Sequence, residues 1–218
     1  MLFLAFMLLF GFLEVVEDVF NDPKEGDFDA HELDKSIAQF FQQFRTERLT
    51  QVATDITALG SVSILTVFSI LAFGAILGKR DFLGLFHLTV AIAGGVIWPI
   101  MLKNHFGRIR PDLVDHLVKV TDLSFPSGHA FGSTVAYATF AFFGARYVRL
   151  LSAEILCYLF AILIVAMIAM TRIYLGVHYA TDVMAGMSAG GAWAFFVAAG
   201  FSILCQREAN QTTESIER

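Results

Sequence analysis

The sequence predicts an all-α fold: a polytopic membrane helix bundle with six transmembrane helices and a polar site at the outer membrane interface. Three observations carry this. Hydrophobic residues make up 56% of the 218-residue chain and charged residues only 16%, with a mean hydropathy of +0.66, the composition of a membrane protein. The apolar residues fall in six runs of roughly 20 residues, enough to cross hydrocarbon. Three groups of ionisable residues sit at the ends of those runs, and charge at membrane depth defaults to function.

Taken in order, the first span covers 1–19. It lacks the basic start and small-residue cleavage site of a signal peptide. Residues 21–55 are polar, with a turn expected at Asp22-Pro23 and Gly26. Within them Leu33, Ile37, Phe40, Phe41 and Phe44 recur at helical spacing between Asp34, Lys35 and Gln42. That pattern predicts an amphipathic interfacial helix over about 30–48. The second span is 56–78, with Gly74 and Gly78 spaced for close helix packing. After the Lys79-Arg80-Asp81 loop, the third span is 82–102, where His87 reads as a packing residue. A polar loop over 103–125 leads to the fourth span, 126–145. Arg146 and Arg149 precede the fifth, 155–171. The sixth is 183–206, with Gly186 and Gly190 again four apart, and 207–218 is a polar cytoplasmic tail. Residues 1–206 thus form a single transmembrane domain. The glycine pairs predict packing within the chain and specify no oligomer.

The bulk numbers exclude some functions. A net charge of −5 with no basic run argues against nucleic acid. Cys157 and Cys205 lie in apolar runs and read as small buried hydrophobes rather than a disulfide or metal site. The short-loop cations Lys79, Arg80, Arg146, Arg149 and Arg207 share one side, which the positive-inside rule makes cytoplasmic. The polar clusters then face the periplasm or exterior of a bacterial inner (cell) membrane.

Three clusters meet on that outer face: KNHFGRIRP at 103–111, PSGH at 126–129 and TRIYLGVHYATD at 171–182. Lys103, Arg110 and Arg172 supply three cations, two of them with the planar fork that suits phosphate oxygens. Ser127 and Gly128 open a helix, whose free N–H groups and dipole favour an anion. His129 and His178 supply two imidazoles, one for proton transfer and one for attack. On a helix, Asp182 lies four residues from His178 on the same face and can fix its tautomer, which favours His178 as the nucleophile. Phosphoryl transfer needs a nucleophile, an acid for the leaving oxygen and charge on the equatorial oxygens. No carboxylate cluster of the kind that holds magnesium or calcium accompanies them, so the expected route uses no metal and no cofactor. Arg108 is a secondary candidate for substrate contact, and His105 and His116 lesser ones. Asp112 and Asp115 read as solvated loop charges, and Tyr174 and Tyr179 as interfacial aromatics.

Lys103 with Arg110-Pro111, then Pro126-Ser127-Gly128-His129, then Arg172 with His178 and Asp182, resemble the three-part signature of the type 2 phosphatidic acid phosphatase family in its integral-membrane branch. The resemblance covers about 82–190. The family's third motif usually begins Ser-Arg, and Thr171 keeps the hydroxyl here. The resemblance implies His178 as nucleophile, Asp182 as its orienting carboxylate and His129 as the acid. Lys103, Arg110, Ser127, Gly128 and Arg172 would hold the phosphoryl oxygens. It further implies hydrolysis of a phosphomonoester or pyrophosphate of a lipid through a phosphohistidine, the partners being that lipid and the bilayer. Phosphatidic acid, phosphatidylglycerol phosphate, undecaprenyl pyrophosphate and lipid A 1-phosphate are the candidate substrates. A lipid phosphotransferase with the same nucleophile, a non-catalytic lipid-binding subunit and a vanadium haloperoxidase-like enzyme are the alternatives.

Overall fold

Helix caps written into the sequence divide the chain. The computed structural model describes residues 1–21, 29–148 and 150–216, and every element in them is a helix. The turn expected at Asp22-Pro23 and Gly26, and Arg149, lie outside the described residues. The helices are α1 Leu2–Phe20, α2 Ala30–Gln42, α3 Glu47–Ala58, α4 Val62–Gly78, α5 Phe82–Phe106, α6 Gly128–Val148, α7 Leu151–Tyr174 and α8 Ala180–Ile216. Side chains of Asp29, Thr46, Ser61 and Asp81 accept the free N–H groups at the starts of α2, α3, α4 and α5, as short polar N-caps do. Gly107, at φ 64°, closes α5 in the left-handed conformation.

These caps correct two expectations. The amphipathic helix ends at Gln42, and 47–58 forms a helix of its own, because Thr46 caps a new start. The second span begins at Val62 rather than 56, where α3 and α4 meet at a 41° bend. The sixth helix continues through the polar tail to Ile216. Among the described residues α5, α7 and α8 are each long and apolar enough to cross a membrane, and α3 with α4 makes a fourth crossing if counted as one bent span.

The exposure pattern is that of a protein in lipid. Phe3, Phe6 and Phe10 on α1, Ile70 and Leu71 on α4, Phe86 and Ile97 on α5, and Leu156, Phe160 and Ile162 on α7 all face outward. The chain is an integral membrane protein. At its centre α6 buries ten residues among α5, α7 and α8. The α6–α8 crossing is close: a Cβ on Gly186 would lie 2.7 Å from the Ser127 carbonyl oxygen, and one on Gly190 2.7 Å from that of Phe131. Only glycine permits this approach. Gly74 and Gly78, by contrast, have open space around them, so that pair brings no helix close. The crossing sets the first turns of α6 and α8 side by side and defines where the polar residues gather.

Candidate active site

The three polar clusters converge at one end of the bundle. His178 lies in the turn between α7 and α8, held from two directions. Gly176 has φ 76°, and a Cβ there would meet the Arg45 guanidinium at 2.6 Å and the Asp115 carbonyl at 2.8 Å, so the turn requires glycine. Arg45, between α2 and α3, donates to the carbonyls of Tyr174 (3.2 and 3.0 Å) and Asp115 (2.9 Å). The His178–Asp182 pair therefore does not lie within one helix as the spacing suggested. The imidazole stands just ahead of α8 and the carboxylate in its first turn.

Asp182 is fully buried and its oxygens are all engaged. Oδ2 accepts the Tyr179 N–H at 2.9 Å and the Ser124 hydroxyl, and lies 3.3 Å from His178 Nδ1; Oδ1 accepts Arg108 Nη1 at 2.6 Å. On the other edge of the ring, His178 Nε2 lies 3.3 Å from Arg110 Nη1. Arginine only donates, so Nε2 is the acceptor, and Nδ1 carries the proton and donates to Asp182. The lone pair thus points to the cations. Burial pushes the His178 imidazole down to about 4; Asp182 opposes that, and Arg172 and Arg110 add to it. The ring is neutral at pH 7.

Lys103, in the last turn of α5, and Arg110, in the following loop, converge on Asp122. Its carboxylate takes Lys103 Nζ at 2.5 Å and Arg110 Nη2 at 2.5 Å, while its carbonyl takes Arg110 Nε at 2.7 Å. Against the upward pull of partial burial, these two cations hold the Asp122 carboxyl well below the usual range. Arg172, in the last turn of α7, is buried; Nη1 donates to Thr57 at 3.1 Å and Nε has no protein partner among the described residues. Ser127 caps α6 through Ala130 N–H (3.4 Å), and its own N–H donates to the Asp182 carbonyl at 2.9 Å. Gly128 adjoins Lys103, with a built Cβ 3.9 Å from Cε. His129, in the first turn of α6, lies in electrostatic range of Arg172, His178 and Lys103. All eight predicted residues thus share one site.

The sequence reading missed several partners. Asp122, Ser124 and Thr57 lie outside the motifs and carry no pattern that would flag them. Arg108 is no surface contact: its guanidinium, stacked 4.1 Å over Tyr179, bridges Asp182 and the buried Asp34 of α2 (2.9 Å). Asp34 also accepts Thr181 N–H at 2.9 Å and Thr181 Oγ1 at 2.7 Å. Asp34 shares a helix face with Ile37 and Phe41, and an acid among apolar neighbours was the available signal. Tyr174 is not interfacial but buried, its hydroxyl 3.3 Å from Thr46 N and 3.2 Å from Thr50 Oγ1. The Thr171 hydroxyl is spent on its own helix, donating to Ile168 O at 2.6 Å. His116 bonds the Pro111 carbonyl at 2.6 Å, and His105 packs on Phe106.

Known proteins resemble this chain in sequence and in fold. The family model of the PAP2 superfamily matches residues 84–203. Phosphatidylglycerophosphatase B of Bacillus subtilis is 33% identical over 170 residues, 77% of this chain and 82% of that protein. Lipid A 1-phosphatase of Rhizobium etli is 33% identical over 120 residues, 51% of this chain and 47% of that protein. Among solved structures, the transmembrane PAP2 type phosphatidylglycerolphosphate phosphatase from Bacillus subtilis superposes with a TM-score of 0.80 at 28% identity, over 89% of this chain and 94% of that one. Aquifex aeolicus LpxE shares the fold, with a TM-score of 0.58 at 23% identity, over 75% of this chain and 93% of that one.

Proposed function

Because the chain belongs to the PAP2 superfamily, we propose that it is a membrane lipid phosphatase that hydrolyses a lipid phosphomonoester or pyrophosphate through a phosphohistidine. One observation carries the mechanism: His178 presents its Nε2 lone pair to Arg110 while Nδ1 is held on Asp182. Lys103, Arg110 and Arg172, with Ser127 and Gly128 at the start of α6, hold the phosphoryl oxygens and stabilise their charge. Nε2 attacks phosphorus in line. The bond to the leaving oxygen breaks, its electron pair stays on that oxygen, and His129 supplies the proton. Water then attacks the phosphorus and breaks the P–N bond. His129 takes the water's proton, and inorganic phosphate leaves.

The names of the relatives support a phosphate on a lipid stem, with phosphatidylglycerol phosphate as the first candidate. Six crossings, α1 and α4 to α8, fit the bundle. α6 is less apolar than α5 and α7 because it faces protein rather than lipid. Arg146 reaches Asp81 at 3.6 Å and Lys79 lies over Tyr147 at 4.7 Å, so these loops share an end. That end is cytoplasmic by its cations, and the site faces the periplasm or exterior of the inner membrane. Among the described residues no three His, Cys, Asp or Glu side chains converge; the proposed route draws its positive charge from Lys103, Arg110 and Arg172.

Phosphate release by the purified protein, measured against phosphatidylglycerol phosphate, phosphatidic acid, undecaprenyl pyrophosphate and lipid A, tests the proposal. Release from at least one, unchanged by EDTA, is expected. A folded protein that releases phosphate from none would favour the lipid-binding alternative. Activity lost to EDTA and restored by magnesium would overturn the metal-free route.

A further inference from the structure

We infer that Asp34, on the amphipathic helix α2, is a positioning residue for the His178 nucleophile, acting through Arg108 and Asp182. The inference rests on the phosphohistidine reading above and extends the site to a helix outside the three motifs. Asp34 is 1% exposed, a burial that carboxylates tolerate only when paired. Its pairing is specific. Arg108 donates one terminal nitrogen to Asp34 Oδ2 at 2.9 Å and the other to Asp182 Oδ1 at 2.6 Å. The guanidinium is thus shared between two carboxylates, and the three groups together carry one net negative charge. That charge is offered to His178 Nδ1–H through Asp182 Oδ2.

The sharing has a chemical consequence. A guanidinium devoted wholly to Asp182 would drain the charge that makes its carboxylate a good acceptor for the imidazole proton. Asp34 draws part of Arg108 away and leaves Asp182 able to support the positive imidazole that forms as Nε2 attacks. Asp34 also receives the N–H and hydroxyl of Thr181, the residue beside Asp182, which fixes the carboxylate's position along α8. A buried ionic chain adds little to stability over an apolar core of equal volume. Its placement behind the nucleophile suits orientation better than folding. Besides these partners, among the described residues Asp182 accepts the Ser124 hydroxyl and the Tyr179 N–H and lies in electrostatic range of Lys103, while Arg108 also donates Nη1 to Thr181 Oγ1 at 2.8 Å and stacks on the Tyr179 ring.

The test compares wild type with Asp34→Asn, Asp34→Glu and Arg108→Gln in nanodiscs. It reads phosphate release from the best substrate of the panel and the His178 titration by ¹⁵N-histidine NMR. The His178 resonance is assigned by its loss in His178→Ala. For Asp34→Asn, kcat falls about 10-fold with KM within about 2-fold, and the His178 midpoint moves to lower pH because Arg108 now serves Asp182 alone. Arg108→Gln moves the midpoint the opposite way, and Asp34→Glu restores at least half of kcat. An Asp34→Asn protein that keeps kcat and the His178 midpoint while losing only thermal stability would overturn the inference and leave Asp34 a cap for α8. If Asp34→Asn fails to fold, Arg108→Gln decides: an unmoved midpoint overturns the coupling. A wild type that releases no phosphate while the two midpoints shift in opposite directions would sink the phosphatase reading and keep the coupling.

Discussion

His178 and His87 are buried to nearly the same degree, 3% and 2% exposed, and they could hardly differ more in surroundings. His178 stands at the polar end, with a carboxylate and a hydroxyl on one nitrogen and a guanidinium on the other. His87 lies toward the opposite end, its ring 4.9–5.1 Å from those of Phe142, Phe143 and Phe201. Its Nδ1 has no partner among the described residues, and it borders an apolar cavity of about 380 Å³. Burial alone therefore does not mark a working histidine. What marks it is a proton fixed on one nitrogen and a lone pair aimed at charge on the other.

The largest effect that should sharpen this contrast is at the proposed nucleophile. His178→Ala is expected to lower phosphate release by about 10⁴-fold or more while the protein still inserts and folds; near-normal turnover would end its role. Asp182→Asn should reduce kcat about 10²- to 10⁴-fold and change KM far less, and equal effects on both would count against orientation. The pH profile comes next. His178 titrates at about 4 rather than 6.5, so it is neutral above about 4 and protonated below. The acid limb of kcat/KM should accordingly fall through about pH 4; a limb near 6.5 would mean that burial does not control the ring. The same lowered value costs stability as pH drops below 6.5, where the unfolded chain binds the proton first. The smallest effect belongs to His87→Leu, which removes an unsatisfied nitrogen from an aromatic setting. Turnover within about 2-fold of wild type and thermal stability unchanged or raised are expected. A large loss of activity there would break the contrast.

How far the sequence could be read follows the same division. The eight predicted residues of the candidate site were legible as a group because each sits in a short motif whose spacing is local: Ser127 to His129, Arg172 to Asp182. The helices were legible because their length is set by the bilayer, yet the break at Thr46 was missed, since a threonine cap inside a polar stretch leaves no change in periodicity. Asp34 and Asp122 were not legible as site residues, because their partners lie 74 positions away at Arg108 and 19 away at Lys103. Only the docking of α2 and the folding of the 107–127 loop bring them together. Arg108 read as a secondary candidate for substrate contact, whereas the fold places carboxylates on both of its branches.

Asp122 has one more implication. Its side chain is 60% exposed, whereas those of Lys103 and Arg110 are 11% and 9% exposed. A solvent-facing loop thus lends a carboxylate to the donors assigned to a substrate's phosphate. The two anions cannot occupy those donors together. A tethered competitor of this kind acts at an effective concentration on the order of millimolar, so a headgroup that takes those donors as proposed displaces a counter-ion the protein carries with it. Competition for shared donors weakens every phosphate ligand by the same factor, so under the proposed assignment the loop lowers affinity for substrate and for released phosphate alike.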